Sequence, residues 1–410
     1  MEIYLVGGAV RDELLGYPYT DKDYVVVGST AEQMLQQNYR PVGKDFPVFL
    51  HPDTKEEYAL ARTERKTGAG YKGFDIYASP EVTLEQDLQR RDLTINAMAK
   101  NAEGVVDPYG GQADLKAKML RHVSPHFKED PLRVLRVARF AARYAHLGFR
   151  IAPETMALMK EMVSTGEVSA LIPERVWQEI SRSLGEKSPD VFFETLRQCG
   201  ALAAILPEID ALYGVPQPEK HHPEIDTGVH TMMVLRQAVA LSDSKIVRFA
   251  ALMHDLGKGL TAKENWPSHY GDETKGLVAL KELVNRLRVP NDYADLAEKV
   301  MAYHTHCHRA FELKASTLLN MFEALGFFRQ PEKLTLFLLA CEADSKGRLG
   351  FEDKDYPQAQ WLKQAFYAAN HVDVKAFIAQ GLAGKEIGEA LSKKRLEAIQ
   401  QFTRSEAQHK

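Results

Sequence analysis

Apolar residues change their spacing along this chain near residue 120. Upstream they come in short runs broken by turns: Ile3–Val6, Tyr24–Val27, Val48–Leu50 and Glu57–Arg62. Brief apolar runs bounded by glycine and polar residues predict strands of a buried sheet. Downstream the pattern is helical to the end. The expected class is therefore α+β, a mixed head followed by a long all-α remainder. One helix is especially well marked, because Asp130-Pro131 opens it and Gly148 stands ready to stop it after about Leu147. Aspartate caps free amides and proline fits a first turn. Two stretches break the pattern. Residues 63–80 are rich in glycine and charge and have nothing to bury, so they read as a mobile loop and a candidate lid. Gly214–Pro223, dense in proline, reads as a linker within the helical half.

Composition narrows the class without naming a partner. A chain of 410 residues is too long for one core, and two to four domains are expected. Hydrophobic content of 45% and charged content of 26% describe an ordinary soluble protein. No apolar stretch reaches membrane-spanning length, and no basic start leads into an apolar run, so neither a span nor a signal peptide is expected. Cys199, Cys307 and Cys341 are scattered and odd in number, which argues against a disulfide framework and for a reducing, cytoplasmic setting. With a net charge of −4, any RNA binding must rest on local basic patches.

Three groupings carry candidate chemistry. In an extended segment, residues two apart point the same way, so Asp21 and Asp23 would converge while Lys22 points away. Two hard carboxylates at that spacing suit Mg²⁺ shared with substrate phosphates. Gly7-Gly8, just upstream, would let the backbone approach a triphosphate. Second, Arg133, Arg136, Arg139 and Arg143 recur every three or four residues, which puts them on about a third of a helix circumference. No acid is interleaved, so pairing within the helix cannot neutralise them. Guanidinium forks suit phosphates and base edges. Arg90-Arg91 adds a further basic cluster, with Asn96 placed to contact sugar or backbone. Third, His254-Asp255 lies in an otherwise apolar helix, with His230 upstream and Asp344 downstream. Such groups, when buried, must be paired or ligated.

Taken in order, Gly7-Gly8-Ala9-Val10-Arg11-Asp12, Asp21-Lys22-Asp23, Arg90-Arg91-Asp92-Leu93-Thr94-Ile95-Asn96-Ala97 and Glu129-Asp130-Pro131-Leu132-Arg133 resemble the class II CCA-adding tRNA nucleotidyltransferases. The resemblance covers nearly the whole chain; the head motifs are shared across the polymerase-β-like superfamily, poly(A) polymerases included. It implies a polymerase-β-like nucleotidyltransferase head at residues 1–140 and a helical, RNA-binding neck and body at 141–222. An HD domain at 223–345 and a helical tail at 346–410 would follow. The implied activity builds or repairs the 3′-terminal CCA of tRNA from CTP and ATP, stepwise and without a nucleic-acid template. On this resemblance Asp21 and Asp23 hold Mg²⁺, while Gly8, Arg11 and Arg91 contact the nucleotide phosphates. Asp130 and Arg133 pair with the incoming base, and Arg136 and Arg139 complete the pocket. The loop around Gly68–Gly73 corresponds to the flexible element tied to the switch from C to A addition. Glu57 is a candidate third acid.

The set His230, His254-Asp255 and Asp344 resembles the HD phosphohydrolases, in which such residues ligate a divalent metal. That resemblance implies a transition metal such as Ni²⁺ and hydrolysis of a 2′,3′-cyclic phosphate or a phosphomonoester. His269, His304, His306 and His308 are further candidates for metal or phosphate. Where relatives often carry a second histidine just after His269, this chain has Gly271-Asp272. Two other readings stay open: a poly(A) polymerase, and an HD phosphohydrolase whose head merely docks RNA. The expected partners are tRNA, CTP and ATP, with no membrane, in a monomer or homodimer.

Overall fold

The structure, a computed structural model, describes residues 1–42, 48–66, 74–373, 375–379 and 381–408. Of the stretch 63–80 expected as a mobile loop and lid, residues 67–73, the switch loop Gly68–Gly73 among them, lie outside the described residues; the remainder corrects that expectation, because Arg62–Lys66 and Phe74–Ala78 are paired strands. The chain divides into two compact units, Met1–Ile205 and Leu206–Lys410.

In the first unit, β1 (Glu2–Val6) pairs antiparallel with β2 (Asp23–Val27), with Val6 opposite Asp23. Between them runs α1 (Gly8–Leu15), entered through Gly7 at φ 68°. That left-handed conformation favours glycine, and a Cβ here would lie 2.9 Å from Arg91 Nη1. After α2 (Ala31–Gln36) come β3 (Arg40–Val42), β4 (Val48–Leu50) and β5 (Glu57–Leu60). A separate hairpin, β6 (Arg62–Lys66) and β7 (Phe74–Ala78), leads to α3 (Leu84–Gln89), then β8 (Ala99–Asn101) and β9 (Gly104–Val106). The main sheet runs β3-β4-β5-β2-β1-β8-β9. Its β5 lies parallel to β2 and sets Glu57 level with Asp23. Tyr4, Val6, Val25, Leu88 and Ala97 form a core against one part of the sheet.

Helices then take over: α4 (Gly111–Ala117), α5 (Leu132–Tyr144), α6 (Pro153–Ser164), α7 (Pro173–Leu184), α8 (Pro189–Gln198) and α9 (Ala201–Ile205). The only strands here among the described residues are the two-residue β10 (Met119–Leu120) and β11 (Arg150–Ile151), which pair in parallel. The marked helix forms where expected. Asp130 accepts the free Leu132 amide at 3.0 Å, and a 3₁₀ turn over Ala145–Leu147 ends at Gly148, φ 84°.

The second unit is helical: α10 (Pro207–Asp210), α11 (Thr227–Leu241), α12 (Lys245–Met253), α13 (Asp272–Leu287), α14 (Asn291–His308), α15 (Ala315–Ala324), α16 (Glu332–Lys346), α17 (Pro357–Asn370), α18 (Lys375–Ala379) and α19 (Lys385–Gln408). Small residues let α11, α12 and α16 come close: Ala238, Ala251 and Ala343 share one buried cluster with Val234. A Cβ on Gly347 would meet the Val234 side chain at 2.5 Å. The class is α+β as expected. Two expectations need correction. Gly214–Pro223 is no linker, because Val215, Gln217 and His222 are buried and Pro216 bridges to Asp226. Asp21 also lies ahead of β2, which starts at Asp23, so strand alternation does not aim both acids.

Candidate active sites

A cavity of about 840 Å³ in the first unit gathers the head residues singled out by sequence. Gly8 and Arg11 come from the start of α1, Asp21 and Asp23 from the approach to β2, and Arg91 from the segment after α3. Asp130, Arg133, Arg136, Arg139 and Arg143 line it from α5 and the residues before it. Glu57, though level with Asp23, is not among the lining residues. Asp21 and Asp23 are both exposed. Burial raises the Asp23 pKa, Arg91 opposes the rise, and the Asp21 charge adds to it. Two carboxylates in one cavity, the Asp21 charge disfavouring ionisation of Asp23, with arginines and a glycine turn around them, are a donor set that a divalent cation fits.

The arginine stripe is neutralised after all, by acids from elsewhere in the fold. Arg136 Nε donates to Asp92 at 2.7 Å, and Arg139 Nε donates to Glu179 of α7 at 2.7 Å. Arg143 reaches Asp12 at 3.3 Å, and Tyr144 donates to the same carboxylate at 2.7 Å. Burial alone would push Asp92 up; the Arg136 charge and the Asn96 hydrogen bond outweigh it and hold the carboxyl well below its usual range. Arg11 forks onto Asp12 at 2.8 and 2.9 Å and also donates to Asn96. Of its five N–H groups, about two remain for a phosphate. Asn96 in turn donates to Asp92 at 2.9 Å, so it braces Arg11 against Asp92 rather than waiting for a sugar. Arg133 donates to the carbonyls of His126 and Arg90. By contrast, Arg91 Nε and Arg143 Nε are buried with no hydrogen-bond partner. Orphaned buried donors in a cavity call for an acceptor, and a phosphate oxygen supplies one.

Sequence reasoning missed the acids that hold this cavity. Asp87 is fully buried and takes the Arg62 amide, Arg90 and Arg91 at 3.2–3.3 Å. Arg175 of α7 also lines the cavity, 3.6 Å from Asp130. Arg175 has no local signature, since it acts across elements; Asp87 has one in Arg90 and Arg91, three and four residues on, though its burial does not show in the sequence.

In the second unit four helices converge on a buried cluster. His230 Nε2 lies 3.1 Å from Asp344 Oδ1, and His254 Nε2 lies 3.0 Å from Asp255 Oδ2 and 3.6 Å from Asp344 Oδ1. Two of the extra candidates join from α14: His308 Nε2 is 2.6 Å from Asp344 Oδ2, and His304 Nε2 is 3.6 Å from Asp255 Oδ1. The outer ring nitrogens face acceptors: Nδ1 of His254 the Ala251 carbonyl at 2.7 Å, and Nδ1 of His304 the Val300 carbonyl at 2.9 Å. A carbonyl can only accept, so Nδ1 carries the proton and Nε2 presents its lone pair to the centre. Burial holds His304 down at about 4, so that ring is neutral at pH 7. Burial would also lower His254, yet the Asp255 and Asp344 charges raise it, which marks a place that favours positive charge. His254 Nε2 and Asp255 Oδ1 are buried without a hydrogen-bond partner. These donors fit a divalent metal.

The remaining two candidates fall elsewhere. His269 spends both ring nitrogens on Thr261 Oγ1 at 2.6 Å and the Pro216 carbonyl at 2.7 Å, so it has no lone pair to offer. His306 packs beside Tyr303, away from the cluster. The sequence reading missed residues at the end of the expected linker and just after Asp255. Glu224 Oε1 lies 2.8 Å from His230 Nδ1 and 3.1 Å from His222 Nδ1. Lys258, three residues past Asp255, donates to its Oδ2 at 2.6 Å. The pattern His-His-Pro-Glu at 221–224 was the available signal, overlooked because its prolines suggested a connector.

Three family models match the chain. The Poly A polymerase head domain covers residues 3–121, the probable RNA and SrmB-binding site of polymerase A covers 148–213, and the HD domain covers 227–335. The Multifunctional CCA protein of Teredinibacter turnerae is 58% identical over 100% of both chains. That of Thioalkalivibrio sulfidiphilus is 60% identical over 98% of each. Among solved structures, a CCA-adding enzyme in apo form gives a TM-score of 0.64 at 22% identity, over 98% of this chain and 91% of that one. The Thermotoga maritima CCA-adding enzyme complexed with tRNA gives 0.63 at 22% identity, over 98% and 91%. These two share the fold. Both the nucleotidyltransferase head and the HD domain imply use of divalent metal.

Proposed function

We infer what this chain does from the family to which it belongs, that of the multifunctional CCA proteins. It adds and repairs the 3′-terminal CCA of tRNA from CTP and ATP without a nucleic-acid template, and its HD domain is a metal-dependent phosphohydrolase. The observation that carries the first activity is the cavity that unites Asp21, Asp23 and the α5 arginines around the Gly7-Gly8 turn.

Bound by Asp21 and Asp23, Mg²⁺ would supply charge neutralisation for the triphosphate and a lowered pKa for the RNA 3′-hydroxyl. The protein's own part is positioning. Gly8 brings its backbone to the phosphates, Arg91 and Arg143 offer their unpaired Nε–H groups, and Arg11 gives its remaining donors. Asp130 and Arg133 read the base edge of C or A, while Arg136 and Arg139, fixed by Asp92 and Glu179, close the pocket. A wrong base leaves such buried donors unpaired at about 1–3 kcal/mol each. The flanking division follows the same reading: head to about 140, RNA-binding body to 222, HD domain to 345, helical tail beyond. In the HD site His230, His254, Asp255 and Asp344 take a divalent transition metal such as Ni²⁺, with 2′,3′-cyclic phosphates and phosphomonoesters as substrates. The setting is cytoplasmic; no helix among the described residues is long and apolar enough to cross a membrane.

The deciding experiment offers tRNA lacking CCA together with CTP, ATP and Mg²⁺. Growth by C, C and A that then stops supports the reading. A long A tail would make the chain a poly(A) polymerase, and no growth with intact phosphohydrolase activity would reduce the head to an RNA dock.

A further inference from the structure

The loop from Gly214 to Asp226 does more than cover the HD cluster. Its backbone is fixed at several points: Gln217 N donates to the Ile225 carbonyl at 2.7 Å, and the Pro216 carbonyl receives His269 Nε2 at 2.7 Å. Gln217 is thereby held with only 2% of its surface exposed. Its Oε1 accepts from Lys258 Nζ at 2.5 Å, and the same ammonium donates to Asp255 Oδ2 at 2.6 Å. Lysine can only donate, so the amide oxygen must face it, and Nε2 is forced to the other side. That Nε2 is buried and has no partner. Arg348, one residue beyond Gly347 whose carbonyl lies 3.2 Å from His230 Nδ1, has an equally unpartnered Nε.

A buried amide N–H with an ammonium beside it, and a buried guanidinium N–H on the turn next to the His230 partner Gly347, are left unsatisfied and call for an anionic acceptor. We propose that Gln217, Lys258 and Arg348 form the phosphoryl-oxygen subsite of the HD centre, with Gln217 Nε2 donating directly to the substrate phosphate. The inference rests on the phosphohydrolase reading above. Gln217 does two jobs there: its oxygen pins Lys258 over Asp255, and its nitrogen contacts the ligand. His269 contributes from behind, by pinning the loop that delivers Gln217.

The two jobs separate in one substitution. Q217E keeps an oxygen for Lys258 but replaces the N–H donor with a second acceptor, which repels phosphate. The assays are hydrolysis of 2′,3′-cyclic AMP by the metal-loaded full chain, competitive inhibition by inorganic phosphate, and metal affinity by calorimetry. Q217E is expected to raise both KM and the phosphate inhibition constant at least tenfold, with kcat changed less and metal affinity within twofold of wild type. R348Q should raise the phosphate inhibition constant about tenfold to a hundredfold, the scale of one lost charge-assisted hydrogen bond. Wild-type phosphate inhibition in both variants would overturn the subsite, as would a loss traced wholly to weaker metal binding. If the unsubstituted protein shows no metal-dependent hydrolysis at all, the HD reading itself fails, which is a different result.

Discussion

The two sites place their acids oppositely. In the head, the carboxylates offered to a metal, Asp21 and Asp23, are exposed, while Asp12, Asp87, Asp92 and Glu179, which hold the arginines, are all 5% exposed or less. In the HD unit the metal-facing groups are themselves buried: His230, His254, Asp255 and Asp344 are at most 3% exposed. The difference follows from what each must admit. A transferase cavity has to receive a nucleoside triphosphate and an RNA end together, so its reacting edge stays open and order is built one layer back. A hydrolytic centre that takes one phosphate can be assembled in advance, with each imidazole turned by an outer acceptor.

The sharpest way to break the contrast is to exchange the damage. D21A/D23A should lower CTP incorporation by about a thousandfold or more, since metal-borne stabilisation is worth several kcal/mol. Hydrolysis of 2′,3′-cyclic AMP should stay near wild type. D255N should do the reverse. Loss of both activities in either variant would show that the two centres do not work separately.

Metal removal should distinguish the sites next. His254 Nε2 and Asp255 Oδ1 are buried without a hydrogen-bond partner, and a cation between them would satisfy both. Loading Ni²⁺ to a hundred times its Kd should therefore stabilise the second unit by about 2.7 kcal/mol, read as an upward Tm shift that a chelator reverses. Mg²⁺ alone should shift the first unit much less, because Asp21 and Asp23 are hydrated already.

Much of this could be read in advance, and the limits are physical. The α5 stripe, the glycine turn and the His-Asp step are local, so spacing alone places them. Strands β8 and β9 went unseen because three-residue segments carry almost no periodicity. Glu179 and Arg175 act on partners tens of residues away, and nothing near them in sequence says so; Asp87 had a local signal, Arg90 and Arg91 three and four residues on, but its burial is tertiary. The loop 214–226 misled for a related reason. Its prolines mark irregular backbone, but irregular backbone can be packed tightly when bridges such as Pro216–Asp226 satisfy it.

Asp92 is held below the ordinary carboxylate range, so its contribution is fully present above about pH 5 and drains away as pH falls through 4 toward the folded-state value. D92N should cost about 1.5–3 kcal/mol at neutral pH, the worth of a charged hydrogen bond. The gap between wild type and D92N should narrow steadily below pH 4 in chemical denaturation. A gap that is constant with pH would mean that Asp92 contributes by shape and not by charge.

The smallest expected effect tests the outer layer most directly. Asp87 is fully buried, yet its hydrogen bonds from Arg62 N, Arg90 Nε and Nη2, and Arg91 Nη2 are 3.2–3.3 Å long. Burial pushes its pKa up, but the Arg90 and Arg91 charges prevail and lower it overall. Long bonds from partly hydrated arginines are individually weak, and those arginines can regain water when released. D87N should therefore leave the fold intact. It should free Arg91 from its place behind Gly7 and raise KM for CTP and ATP about tenfold, near 1.4 kcal/mol. The effect on kcat should be smaller, because a bound triphosphate can recapture Arg91 itself. An equal fall in kcat would instead place Arg91 on the transition state alone, and the head would then be as rigidly assembled as the HD cluster.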